Sequence, residues 1–334
     1  MSSVAEIPGY PTTHGTLALR EAVAESLDRR YNIPDVDPAT VLPAIGTKEM
    51  IAWLPTLLGL GADDLVVIPE LAYPTYEVAA KLAGARVLRA DGLNKLGPES
   101  AAMIFVNSPS NPTGKVLGLE HLQKVVAWAR ERGAIVVSDE CYLGLTWEAD
   151  ALSILDPRVN DGDLTGLLAV HSLSKTSNLA SYRAGFVTGD PALVSELLEV
   201  RKHAGMILPL PIQAAMTAAL GDDQHENIQR ERYRERRSVL IELFEAPDSP
   251  STIPRRVYTS GRRAARNVER RSVGSPIVGS SLPPVSSTDR AVASTCGSRS
   301  LQQTNESPRQ QSASPPEPCA FPGVRFPDVG IGPM

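Results

Sequence analysis

From residue 41 to residue 140 the chain repeats one pattern: a short apolar run, a turn, then an amphipathic helical stretch. VLPAIG (41–46) leads into TKEMIAWLPTLLGL, and LVVIPE (65–70) into YPTYEVAAKLAG. After RVLRA (86–90) and MIFVNSP (103–109), the helical LEHLQKVVAWARERG (119–133) feeds AIVVSDE (134–140). Alternating strands and helices predict an α/β fold, a mainly parallel sheet covered on both faces. Pro55 lies within the first of these helices, where it predicts a kink. Upstream, Gly9, Pro11 and Gly15 mark turns, after which Leu19, Val23 and Leu27 recur at helical spacing. Downstream, LTGLLAVHSL (164–173) and YRAGFVTG (182–189) read as two further strands joined by a small-residue turn.

The chain has 334 residues, 42% of them apolar, and no run near the roughly 20 apolar residues of a membrane span. Its start does not resemble a secretion signal, and Cys141, Cys296 and Cys319 are scattered and odd in number. Neither a disulfide framework nor a zinc site is indicated, and a reducing cytoplasm is the expected compartment. A net charge of −5 argues against nucleic acid as the main partner.

In sheets of this kind ligands sit at the carboxyl ends of the strands, and the chain's distinctive residues fall there. Lys175 lies on the turn after LTGLLAVHSL, with Ser172 and Ser174 beside it and Arg183 at the start of the next strand. Hydroxyls and a bidentate arginine suit a phosphate, and a turn lysine can join a carbonyl as an imine. A Ser-x-x-Lys taken alone is better read as an ordinary surface lysine. Gly46, Thr47 and Lys48 stand where a strand gives way to a helix, which is both a phosphate seat and an ordinary cap. Tyr73 could stack on a flat ring or pack in the core. NSPSNPTGKV (107–116) is dense for a loop, and Asn111 can donate its amide to a phenolate oxygen. Asp139 and Glu140 end an apolar strand, where a buried carboxylate calls for a cationic partner; Tyr142 follows. A carboxylate for a pyridine nitrogen, Asn111 and Tyr142 for a phenolic oxygen, small residues and arginine for a phosphate and a lysine for an imine converge on pyridoxal 5'-phosphate.

This order (GTKE, AYPTY, NPTG, SDECY, then SLSK with an arginine eight residues on) resembles the fold-type I pyridoxal-phosphate aminotransferases. The resemblance spans about Gly9 to about Arg237, and within the family it is narrowest to succinyldiaminopimelate transaminases. It implies that Lys175 holds the cofactor as an imine and that Asp139 pairs with the pyridine nitrogen. It puts Asn111 and Tyr142 on the phenolic oxygen, Tyr73 on the ring, and Thr47, Lys48, Ser172 and Arg183 with Gly46 on the phosphate. It implies a homodimer in which Tyr10, from its own context a packing aromatic, reaches the phosphate in the neighbouring subunit. The reaction implied moves an amino group between glutamate and N-succinyl-2-amino-6-ketopimelate, in lysine and diaminopimelate synthesis. A β-lyase on the same cofactor, or a catalytically impaired remnant, remains the alternative.

The expected organisation is an N-terminal segment and helix (1–36), a cofactor-binding large domain (37–210), a helical connection (211–246) and a tail (247–334). The family's small C-terminal domain is missing or scrambled here. From Pro247 to Met334 there are 28 Ser plus Pro, 11 Arg against six acidic residues, and only Leu282 and Leu301 as leucines. So few large apolar residues cannot offset ordering entropy. The expectation is a frameshift near residues 245–250, with a genuine basic tail as the alternative. The early start is read as a mis-assigned start codon.

Overall fold

The computed structural model describes residues 9–97 and 99–245. The expected frameshift and tail, with Cys296 and Cys319, lie outside the described residues.

Helix α1 (Leu17–Tyr31) opens where the Thr16 hydroxyl accepts the Leu19 N–H and closes at Asn32, in the left-handed conformation. Leu19, Val23 and Leu27 are buried along one stripe of this helix, as their spacing predicts. The strands are β1 (Leu42–Ile45), β2 (Leu65–Ile68), β3 (Arg86–Arg89), β4 (Met103–Asn107), β5 (Ile135–Asp139), β6 (Leu167–Ser172) and β7 (Ala184–Gly189). They form one sheet in the order β1-β7-β6-β5-β4-β2-β3. Only β7 runs against its neighbours, pairing antiparallel with both β1 and β6.

Alternate side chains feed two cores. Val136, Leu167 and Ala169 face one side with α1 and α4 (Leu119–Arg132). Val137, Leu168 and Val170 face the other, with Met50 and Leu54 of α2 (Thr47–Leu57) and Tyr76 of α3 (Thr75–Leu82). Each large aliphatic side chain so buried contributes about 1.5–3 kcal/mol before entropy is counted. Pro55 sits in the last turn of α2, which ends at Leu57.

The LTGLLAVHSL strand begins only at Leu167, and Leu173–Thr176 is a single turn, α6, following a short α5 (Pro157–Asn160). Helix α7 (Pro191–His203) packs on the α2 side, where Arg201, fully buried, meets Glu49 of α2 at 2.9 Å. The stretch read as one helical connection is two helices, α8 (Leu210–Leu220) and α9 (Asp223–Glu245), because the chain turns at Gly221. Arg29 and Arg30 of α1 tie Asp223 at the start of α9 with contacts of 2.6 Å.

Candidate active site

The carboxyl ends of the central strands lie in register. Asn107 is opposite Asp139, Asp139 opposite Val170, and Ser172 opposite Gly185. Asp139 is 5% exposed. The Tyr76 hydroxyl donates to its Oδ2 at 2.7 Å and the Cys141 N–H to its Oδ1 at 3.2 Å. Burial pushes the Asp139 carboxyl above the usual carboxylate range, against the pull of these donors. No cationic side chain is bonded to it among the described residues, and the partner expected from the sequence is a pyridine nitrogen. Neutral donors surround Asp139 instead: the Tyr76 hydroxyl, the Cys141 N–H and the Cys141 thiol.

Around this carboxylate, Asn111 donates its N–H to Asn107 Oδ1 at 2.6 Å, and Asn107 Nδ2 donates to the Asp139 carbonyl at 2.8 Å. Tyr142 is half-buried, and its phenol is pushed up to about 12, chiefly by burial and next by Cys141 and Asp139. Tyr73 meets Tyr76 edge-on at 5.9 Å, with the Lys48 ammonium 5.7 Å from the Tyr73 ring centre.

A second group gathers at the start of α2. Gly46 has φ 75° and ψ 154°, a conformation essentially reserved for glycine. A methyl group there would stand 2.3 Å from Arg183 Nη2, so the guanidinium lies against the helix N-terminus. Gly185 allows a similar approach, since a Cβ would fall 2.9 Å from the His171 carbonyl and 3.2 Å from Thr47 N. The Cys141 thiol donates to Thr47 Oγ1 at 3.2 Å, joining this group to the Asp139 strand. Ser172 is buried and caps α6 by accepting the Ser174 N–H at 3.1 Å; Lys175, on that turn, is exposed.

Gly46, Thr47, Ser172 and Arg183 are thus drawn to one sheet edge, and Tyr73, Asn111 and Tyr142 to the surroundings of Asp139. Lys175 stands at the end of β6, between them in strand order. Tyr10 is 97% exposed and makes no hydrogen bond, ion pair or ring contact among the described residues, so it does not pack in this chain as its context suggested.

Sequence reasoning missed Tyr76, Asn107 and Cys141. Tyr76 lies in the first turn of α3, just after Tyr73 in the loop before it, and Asn107 is the polar end of an apolar strand. Glu140, adjacent to Asp139, points to the opposite face. There it accepts the Ile154 N–H at 2.8 Å, with its other oxygen 3.3 Å from His171 Nε2. Burial pushes Glu140 up to about 7 and His171 down to about 3, so both favour their neutral forms.

The family model described as "Aminotransferase class I and II" matches residues 3–262. A probable aminotransferase, Rv1178, of Mycobacterium tuberculosis is 66% identical over 72% of this chain and 58% of its own length. The Streptomyces rimosus protein OxyQ, a 4-dedimethylamino-4-oxo-anhydrotetracycline transaminase, is 55% identical over 73% of this chain and 68% of its own. Among solved structures, the N-succinyldiaminopimelate aminotransferase from M. tuberculosis superposes with a TM-score of 0.66 at 25% identity, covering 73% of this chain and 66% of that one. The chain therefore spans little more than half the length of Rv1178 and about two thirds of the others.

Proposed function

The chain belongs to the class I and II aminotransferase family, whose members use pyridoxal 5'-phosphate, and from that premise we propose that it is a transaminase acting on amino-acid and keto-acid substrates. The observation that carries this reading is Asp139: a buried carboxylate at a strand end, braced by neutral donors from Tyr76 and Cys141 and facing no cation among the described residues. A protonated pyridine nitrogen is the complement such a group lacks. The Gly46 turn, where only hydrogen leaves room for the Arg183 guanidinium, fits the phosphate in the same way.

When bound, the cofactor supplies an electron sink that makes the Cα–H of an attached amino acid acidic. Asp139 holds the ring proton in place by its charge. Asn111 and Tyr142 would donate to the phenolic oxygen, and Tyr73 would cover the ring. Gly46, Thr47, Lys48, Ser172 and Arg183 bind the phosphate through backbone amides, hydroxyls and charge. Tyr10, exposed in its own chain, extends to the phosphate of the neighbouring subunit in a homodimer. Lys175 would be the amine that holds the cofactor's carbonyl carbon, and its free amine would serve as the general base for the Cα proton. Residues 37–210 form the cofactor-binding unit and 211–246 the connection beyond it.

For the substrate pair, we favour glutamate and N-succinyl-2-amino-6-ketopimelate, supported by the motif resemblance and by the solved N-succinyldiaminopimelate aminotransferase. A second reading, a polycyclic ketone as acceptor, is favoured by the 55% identity to OxyQ. Purified protein loaded with pyridoxal phosphate and glutamate is to be offered each acceptor in turn. Turnover that depends on a keto acid separates transamination from β-elimination. The Lys175→Ala variant is expected to lose both turnover and the visible band of the lysine-bound cofactor; transamination retained in it would sink the proposal.

A further inference from the structure

Tyr76 belongs to no motif that suggested a function, yet its hydroxyl meets the carboxylate on which the site is centred. Its side chain is fully buried, its ring stacked on Phe105 at 5.0 Å and 14° and edge-on to Tyr73 at 5.9 Å. These two rings fix the tyrosine, so its hydroxyl arrives at Asp139 Oδ2 at 2.7 Å from a side chain with little freedom left. The second oxygen is held by a backbone N–H, which no substitution at Cys141 other than proline removes. The Cys141 thiol and the Tyr76 hydroxyl together supply the side-chain support for Asp139, and of the two Tyr76 is the one locked by neighbouring rings.

We propose that Tyr76 is a positioning residue, which holds Asp139 anionic and aimed for the cationic ring nitrogen of the cofactor. The proposal rests on the cofactor reading above and assigns the phenol a role within it. A carboxylate buried without a cation tends to take up a proton, and a protonated Asp139 has no charge to offer a pyridinium. A phenol that only donates opposes that uptake, because it bonds to the ionised oxygen and has no need of the proton itself. Burial, next to the Asp139 charge, drives the Tyr76 hydroxyl far above the ordinary phenol range, so it remains a donor at every working pH. The same contact ties α3 to the end of β5, which also sets where Tyr73 stands relative to Asp139.

The test is a thermodynamic cycle on cofactor binding with the full chain. Dissociation constants for pyridoxal phosphate are measured by fluorescence titration in the unmodified protein, Tyr76→Phe, Asp139→Asn and the double variant. Phenylalanine keeps the ring stack and removes one oxygen. Loss of a hydrogen bond to a charged group is expected to weaken binding by roughly tenfold or more. In the Asp139→Asn background the same change should cost less than about twofold, since the charge it supports is gone. A role in packing alone would weaken binding equally in both backgrounds, and that outcome overturns the proposal, as does an unchanged constant in Tyr76→Phe. Site-specific meta-fluorotyrosine at position 76 serves if Tyr76→Phe does not fold: a more acidic phenol donates more strongly and should tighten binding, and weaker or equal binding refutes the role. If the unmodified protein binds no pyridoxal phosphate, the cofactor reading has failed, which is distinct from a null effect at Tyr76.

Discussion

Gly46→Ala separates the geometry of the candidate phosphate seat from the stability of the fold. The added methyl forces a side chain into φ 75° and ψ 154°, at a strain of about 1–3 kcal/mol. It would also stand 2.3 Å from Arg183 Nη2, against an ordinary contact of about 3.5–4.0 Å, so the guanidinium must retreat by more than ~1 Å. Arg183 is exposed and can move at little cost to folding. What the move removes is the cation from the start of α2, and with it charge-assisted hydrogen bonds of about 1.5–3 kcal/mol, or roughly 10- to 150-fold in cofactor affinity. Gly59→Ala is the control: φ is +73°, with no atom within 4 Å of the new methyl. Urea denaturation should show both variants destabilised, by about 1–2 kcal/mol in the control. Titration with pyridoxal phosphate should show weakened binding in Gly46→Ala alone. If both variants bind the cofactor equally well, Arg183 and Gly46 do not form the phosphate seat.

Two predictions concern the scaffold. Glu140 has a folded pKa of about 7, above its ordinary 4.5, so the folded state holds its proton more tightly than the unfolded state. Its contribution to stability is complete below about 4.5 and is lost as pH rises to about 7, on the order of 3 kcal/mol. Glu140→Gln keeps the acceptor for the Ile154 N–H but cannot ionise, so its denaturation midpoints should be flatter across that range; parallel curves for the two proteins would refute the reading. Arg201→Leu strands Glu49 beside α7. Breaking a buried pair costs about 3–5 kcal/mol, and water reaching the partly exposed Glu49 should reduce this to about 2–4 kcal/mol in urea denaturation. A loss below about 0.5 kcal/mol would show that the pair contributes nothing net.

The alternation of apolar runs and amphipathic stretches made the sheet, its two covered faces and the placement of polar residues at strand ends legible before any coordinates. What it could not show was direction within the last hairpin: LTGLLAVHSL and YRAGFVTG have the same composition whether parallel or antiparallel, and only the short link between them hints at reversal. The residues around Asp139 were legible singly, as types at strand ends. Their supports were not: Tyr76 looks like a core residue in sequence and becomes a donor only when β5 and α3 come together, and the bond from Cys141 N–H depends on how the chain turns after Asp139. The demand for a cation at Asp139 points outside the described part of the chain, which offers only neutral donors there. The break at Gly221 was hidden by the uniformly helix-favouring composition on either side of it.

Because β7 runs against β6, the chain leaves the sheet at Ser172 and re-enters beside it at Gly185 without crossing a face. Lys175 and Arg183 are therefore joined by a tether of seven residues, 176–182, whereas parallel strands would separate them by a whole helix. Their relative distance is set by a loop and not by a layer. An insertion in that tether would alter the spacing between an amine and a guanidinium while leaving both cores untouched, which makes it the place where the reach of this site can be retuned at the smallest cost to the fold.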